Sequence, residues 1–371
     1  MSQTRLAAPA KQVMSPRLSP QTPAASTALN LRSAHISDQQ IGAWVRGGLW
    51  LLALGIYPLV ASPFFVFQIG AQTLVLGLIA LSLSFLAGSG GMVSLSQMTV
   101  AGVAAYTVAI FGSSSVTTIS LGWAPWLAVG MALVMSVASS VLIGALSIRT
   151  EGIRTIMITL AIGVAFFYLT QQNYTAFNGF QGFSNIEAPT LLGFDLGHPS
   201  AFYYLCLVVS ALAVFGVLYI DRSTFGIGLQ GVRDNARRMS SLGFNVTQHR
   251  LLAHGLAGLI AGAGGVLFVY YNHAVSPGSI NTAALINVLV IAVLGGLRHP
   301  IGAFLGAALF VLLQNFAIDF VSRERFNLVI GGVFLFVILV SPDGLLGLWE
   351  RLRVLARPDT QRQPTPGGTS R

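Results

Sequence analysis

The stretch Gln72-Thr73-Leu74-Val75-Leu76-Gly77-Leu78-Ile79-Ala80-Leu81-Ser82-Leu83-Ser84-Phe85-Leu86-Ala87 carries no charge, and its surroundings carry none either. From Gly47 to Ile148, 102 residues, the chain has no Asp, Glu, Lys, Arg or His. A soluble domain needs a charged surface, and this run cannot supply one. At about 1.5 Å of rise per residue, about 20 residues cross a hydrocarbon core about 30 Å thick. The run therefore has room for several passes, broken at Pro58, Pro63, Gly88-Ser89-Gly90-Gly91 and Ser113-Ser114-Ser115. The fold class that follows is all-α, a polytopic transmembrane helical bundle.

Composition agrees. The chain is 54% apolar and 8% charged, and its 41 glycines suit membrane helices whose backbones approach closely. The single cysteine, Cys206, excludes a disulfide framework and a thiolate-clustered metal site. A net charge of +9 would suggest nucleic acid in a soluble chain. Here the positive-inside rule explains it, and no nucleic-acid partner is expected.

Spans are expected near 48–67, 69–87, 98–112, 124–146, 154–172, 201–220, 251–271, 283–297, 300–321 and 327–341, about ten in all. With the amino terminus inside, the inner segments and the inner lip at Arg154 hold 18 of the 20 cationic residues. Arg323 and Arg325, flanking Glu324, are the exceptions. Both termini are therefore expected to be cytoplasmic. The segments at 98–112, 283–297 and 327–341 are short and could be re-entrant or broken, which requires cover from protein or water.

Three domains are expected. Residues 1–45 form a polar, disordered cytoplasmic tail rich in Pro, Ser, Thr and Ala. An organelle transit peptide is the alternative that its acid-poor composition leaves open. Residues 46–346 form the transmembrane domain and 347–371 a cytoplasmic carboxy-terminal tail. Within the domain, the outer loop 173–200 is rich in aromatics and glycines and reads as a folded cap. The inner loop 221–250 sets Arg222, Arg233, Arg237, Arg238 and Arg250 against Asp221 and Asp234. Val232, Met239 and Leu242 recur at near-helical spacing, and Gly243 is a natural helix stop. The loop reads as a short basic helix with one apolar edge. That is either a topology signal or a docking element for a cytoplasmic partner.

Four stretches in order make a resemblance specific. They are Gly90-Gly91-Met92-Val93-Ser94-Leu95-Ser96-Gln97 with Gly102 and Ala104-Ala105-Tyr106, residues 177–183, the segment Gly226–Phe268, and Gly295-Gly296-Leu297 with Pro300-Ile301-Gly302 and Leu305-Gly306-Ala307. Together they resemble the permeases of branched-chain amino acid ABC importers across residues 70–345. Thr159-Leu160-Ala161 and the outer-loop pattern favour a LivM-like subunit over its LivH-like companion. Departures occur: Ser96 stands where Gly is usual, Phe177-Asn178 replace Thr-Gly, and Ala236, Arg238 and Met239 replace an acid and a small pair.

The resemblance implies an ABC importer permease fold in a bacterial inner membrane, with a companion LivH-like permease and two cytoplasmic ABC ATPases. It also implies a periplasmic solute-binding protein and a surrounding lipid bilayer. It assigns ATPase coupling to Arg233, Asp234, Asn235, Arg237 and Gly243. The implied solute is a branched-chain amino acid, with urea or a short amide as the alternative.

The residues exclude other chemistries. A phosphate-binding loop needs a Lys after its glycines, and the only lysine, Lys11, lies in the tail. The chain is not expected to be an ATPase or any enzyme by itself, and no cofactor is expected. The six histidines do not form a ligand set. Ion-driven carriers often keep charged groups within spans, and here Asp319 near a helix end is the nearest candidate. An ion-coupled secondary carrier is therefore the less favoured reading. Polar residues within spans are the candidates for the solute path. Ser94, Ser96, Gln97, Gln72 and Tyr106 come first, with Gln68, Thr73, Ser82, Ser84, Gln171, Gln172, Asn173, Asn287, Gln314 and Asn315 behind them. Helix–helix hydrogen bonding is the alternative role for all of them.

Overall fold

The computed structural model describes residues 54–150, 152–191, 194–320, 326–341 and 344–347. The expected tails, the start of the first span and Arg323-Glu324-Arg325 lie outside the described residues. The chain divides into two compact units, Met1–Ile56 and Tyr57–Arg371, and the helices named below all belong to the second.

These helices are α1 (Pro63–Gly88), α2 (Gln97–Phe111), α3 (Pro125–Ser147), α4 (Ile153–Gln172) and α5 (Pro199–Arg222). They continue with α6 (Thr224–Ser241), α7 (Val246–Asn272), α8 (Thr282–Gly295), α9 (Pro300–Phe320) and α10 (Phe326–Val340). Local sequence sets the starts. Pro63, Pro125 and Pro199 open α1, α3 and α5, where a missing N–H costs no intrahelical bond. Ser223, Asn245 and Asn281 cap α6, α7 and α8, each side-chain oxygen accepting from a backbone N–H in the first turn.

Among the described residues five helices, α1, α3, α4, α5 and α7, are long and apolar enough to cross a membrane. Helices α8 and α9 are bent by 116° at a four-residue break, so they count together as one broken span or a re-entrant loop. About ten crossings are thus not reached by helix length. At about 1.5 Å per residue, the 15 residues of α2 and the 14 of α8 fall short of a core about 30 Å thick. One boundary also moves. No break separates 67 from 69, because α1 runs on through a π-helical segment, Val66–Ala71. The break before α1 falls at Ser62, ahead of Pro63.

Packing explains how the short elements are tolerated. Nearly every residue of α2 is buried, so its polar backbone ends meet protein. Helix α7 packs on α1, α2 and α3 through small residues. A Cβ at Gly258 or Gly262 would strike Ser140 or Ser136 of α3, one at Gly264 would strike Ile79 of α1, and one at Gly265 the Ala101 carbonyl of α2. With lipid outside as apolar as the protein, such close van der Waals fits hold the helices together. The same device joins α8 and α9, where Gly295, Gly302 and Gly306 bring backbone against backbone.

The loop between α4 and α5 is ordered by a one-turn helix, Tyr174–Phe177, and by Phe183–Ser184, which pairs antiparallel with Ala274–Val275 after α7. A second short ladder joins Thr190–Leu191 to Phe194–Asp195.

Candidate functional site

Two regions gather the residues that the sequence singled out. The first surrounds α6. This helix breaks at Asn235, whose backbone is extended at φ −157° and ψ 92°. The Asn235 side chain then caps the second half, its Oδ1 accepting from the Arg238 N–H at 2.9 Å. The second half stops as Gly243 predicts. Gly243 has φ +89°, its N–H donates to the Ser240 carbonyl at 3.0 Å, and the Phe244 N–H reaches back to Met239 at 3.1 Å. That pair of bonds is a Schellman motif, and it needs a left-handed residue where a β-carbon is disfavoured.

Arg233 sits just before the break. Its Nε donates to Asp234 Oδ1 at 3.0 Å, and its Nη1 donates to the carbonyl of Gly88, the last residue of α1. A cation at a helix carboxyl end meets unpaired carbonyls and the negative pole of the helix dipole. The arginine stem also lies so close to Gly91 that a Cβ there, at φ +66°, would meet Arg233 Cγ at 2.5 Å. A second tie runs beside it, for Ser89 Oγ donates to Asp221 Oδ1 at 2.6 Å. Gln230 Nε2 in turn donates to the Asp221 carbonyl at 3.1 Å. A Cβ on Gly88 would strike the Leu297 carbonyl, so the α8–α9 break packs on the same point. The ends of α1, α5 and α8 thus converge on the first half of α6.

Beyond Arg233, the helix turns outward. Asp234, Asn235, Arg237 and Arg238 are exposed, as are residues 240–245. Arg237 makes no described contact with the α1 end, and Gly243 acts through the helix stop alone. An aromatic stack anchors the loop on its other side. The His249 ring lies parallel to Phe225 at 5.5 Å and edge-on to Phe244 at 5.7 Å, joining both ends of α6 to the first turn of α7. Sequence reading named Gly88 and Ser89 as a break and Asp221 as a loop acid without pairing them, and it did not single out Gln230 or this stack. The partners of Gly88 and Ser89 lie far along the chain, 145 residues away at Arg233 and 132 at Asp221.

The second region is the set of polar side chains within the bundle, and the structure divides it. Ser94, Ser96, Gln97 and Tyr106 are each at most 1% exposed. Ser94 and Ser96 share a hydrogen bond at 2.8 Å, Ser82 donates to Gln97 Oε1 at 3.1 Å, and Thr159 Oγ1 accepts from the Leu95 N–H at 3.1 Å. These bonds close the irregular backbone between α1 and α2, as backbone at membrane depth requires. Tyr106 packs edge-on to Phe166 of α4 and to Phe177 and Phe183 of the α4–α5 loop, with centroids 5.3–6.4 Å away. Gln72 is elsewhere, half-buried on α1 and facing Gln314 of α9 at 3.5 Å. The structure gathers Ser94, Ser96 and Gln97 at the α1–α2 break, while Tyr106 and Gln72 make their described contacts elsewhere. Among the described residues no group of three or more His, Cys, Asp or Glu is gathered as a metal site would be.

Comparison with known proteins adds to this geometry. The family described as branched-chain amino acid transport system / permease component matches residues 65–338. The high-affinity branched-chain amino acid transport system permease protein LivM of Salmonella typhimurium is 27% identical over 332 residues, covering 82% of this chain and 76% of its own. LivM of Escherichia coli K12 is 26% identical over the same shares, and LivH of Escherichia coli K12 is 25% identical over 52% of this chain and 64% of its own. No solved structure matches the chain.

Proposed function

This chain belongs to the permease family of branched-chain amino acid transport systems, and on that premise we propose that it is the LivM-like subunit of an ATP-driven importer in a bacterial inner membrane. It is a multi-pass membrane protein and a transport subunit. The solute is a branched-chain amino acid, as the names of its LivM relatives suggest. A companion LivH-like permease, two cytoplasmic ATPases and a periplasmic binding protein complete the assembly in this reading.

Both termini face the cytoplasm, in keeping with the placement of 18 of 20 cationic residues on that side. The permease core has about ten membrane-inserted segments, of which α2, α8 and α10 are short, α2 covered by protein and α8 bent sharply against α9. The two tails keep the cytoplasmic role that their composition suggests.

One observation carries the coupling. Helix α6 is exposed along its second half and bound to the end of α1 through Arg233, while Asp221, in the last turn of α5, ties that same end to Ser89 and accepts from Gln230 of α6. An ATPase that grips Asp234, Asn235 and Arg237 on the exposed half moves the bound half with it, and α1 and the α8–α9 break follow. The kink at Asn235 and the stop at Gly243 fix the angle between grip and lever. Path-lining is assigned to Gln72 in this conformation. Ser94, Ser96, Gln97 and Tyr106 would line the path only once the bundle opens, because here they are enclosed.

The test is labelled leucine uptake in a parent strain and in a deletion of this gene, with excess valine, urea and acetamide as competitors. Loss of uptake in the deletion, with competition by valine in the parent, is the expected result. Leucine uptake intact in the deletion would overturn the solute assignment.

A further inference from the structure

The outer half of α1 and the facing side of α9 carry a row of carboxamides. Gln68 Nε2 lies 3.4 Å from Asn315 Oδ1, and Gln72 Nε2 lies 3.5 Å from Gln314 Oε1. Tyr271 of α7 reaches Gln68 Oε1 at 3.4 Å. All three contacts are long for hydrogen bonds of their kind. The four amide residues are half-buried rather than enclosed. Gln72 Oε1 and the neighbouring Thr73 Oγ1 have no protein hydrogen-bond partner.

Depth makes this arrangement informative. Gln72 lies 16 residues before the end of α1 at Gly88, and Gln314 lies 14 residues into α9. At about 1.5 Å per residue, both are about 20–25 Å from the inner ends of their helices. Partly exposed amide residues at that depth, one of them with a buried and unpartnered oxygen, would be costly against lipid, so they face water, protein or a solute. Tight helix–helix bonding would bury them and shorten the contacts. The backbone beneath Gln68 is the π-helical segment Val66–Ala71, a form that recurs at functional sites.

We propose that Gln68, Gln72, Gln314 and Asn315 form the polar wall of the solute path in the outer half of the membrane. Their neutral donors and acceptors suit the ammonium and carboxylate of a small zwitterion, which needs both and no fixed charge. The proposal rests on the importer reading above and adds the place where the solute meets this subunit. Weak, mutually bonded amides can exchange their bonds to one another for bonds to a passing solute and then re-form them, which a tightly binding charged site could not do as readily.

The test uses single cysteines in the full transporter, with its ATPases and binding protein, in membrane vesicles. Cys206 is fully buried, so the native chain gives the background. Gln72→Cys and Asn315→Cys are treated with a charged methanethiosulfonate reagent, with and without saturating leucine, beside Val208→Cys on the exposed side of α5. The expected result is modification at 72 and 315, slowed several-fold by leucine, and little at 208. No modification at 72 and 315, or modification that leucine does not slow, would overturn the proposal. Gln68→Cys and Gln314→Cys serve where the first pair does not reach the membrane. Wild-type leucine uptake is measured in the same vesicles, so failure of the branched-chain reading appears there, separately from the labelling.

Discussion

The guanidinium of Arg233 donates to the backbone carbonyl of Gly88, so a residue of the surface helix α6 closes the carboxyl end of α1. The two residues are 145 positions apart. The bond ties a surface helix to the bundle. Its neighbour, Ser89 to Asp221 at 2.6 Å, fastens the same end to the last turn of α5.

Asp221→Asn and Ser89→Ala should each loosen that second fastening. A hydrogen bond to a charged group contributes about 1.5–3 kcal/mol. We expect leucine uptake to fall at unchanged membrane levels, with the double variant no worse than the worse single one. Additive losses in a double-mutant cycle would mean that the two side chains act separately.

Asn235→Ala should release the cap on the second half of α6 and cost about 1 kcal/mol of local helix stability. Hydrogen exchange across 236–243 reads this directly, and protection there should drop. Asn235→Asp keeps the acceptor and should retain protection. Equal exchange in both variants would remove the capping role.

Gly243→Ala places a β-carbon on a residue at φ +89° and should cost about 1–2 kcal/mol, while Gly243→Asn should cost less. Transport and protection of 236–241 should fall together in the alanine variant. A neutral result would show that the helix stop tolerates another conformation.

Gly295→Leu should be poorly tolerated, because α8 and α9 meet backbone to backbone there and overpacking costs about 1–3 kcal/mol or more. Gly331→Ala in α10, with nothing within 4 Å of an added Cβ, is the matched control and should leave thermal stability in detergent unchanged.

Some of this was legible in the sequence and some was not, for physical reasons. The charge-free run required membrane helices, and Pro63, read as a break, opens α1 because proline suits a first turn. Gly243 marked an end because only left-handed backbone closes that stop. The break at Asn235 was hidden, since Val232, Met239 and Leu242 keep a helical rhythm across it. Gln68 misled in the other direction. A polar residue after Phe67 reads as the end of a span, yet α1 continues and turns Gln68 toward Asn315 and Tyr271. The span count was less legible for a related reason, because an apolar run as short as α2 can be placed only once its neighbours are known. Ser94, Ser96 and Gln97 were singled out as polar groups at a glycine-rich break. The same bonds that enclose them are long-range and leave no local signal.

The most direct test of the coupling account is Arg233→Glu in the reconstituted importer, with leucine uptake and ATP hydrolysis measured in the same proteoliposomes. A carboxylate facing the Gly88 carbonyl and Asp234 should break that tie. Hydrolysis should persist while uptake falls about tenfold, the scale of a typical coupling free energy. Uptake per ATP equal to wild type, at normal membrane levels, would contradict the account.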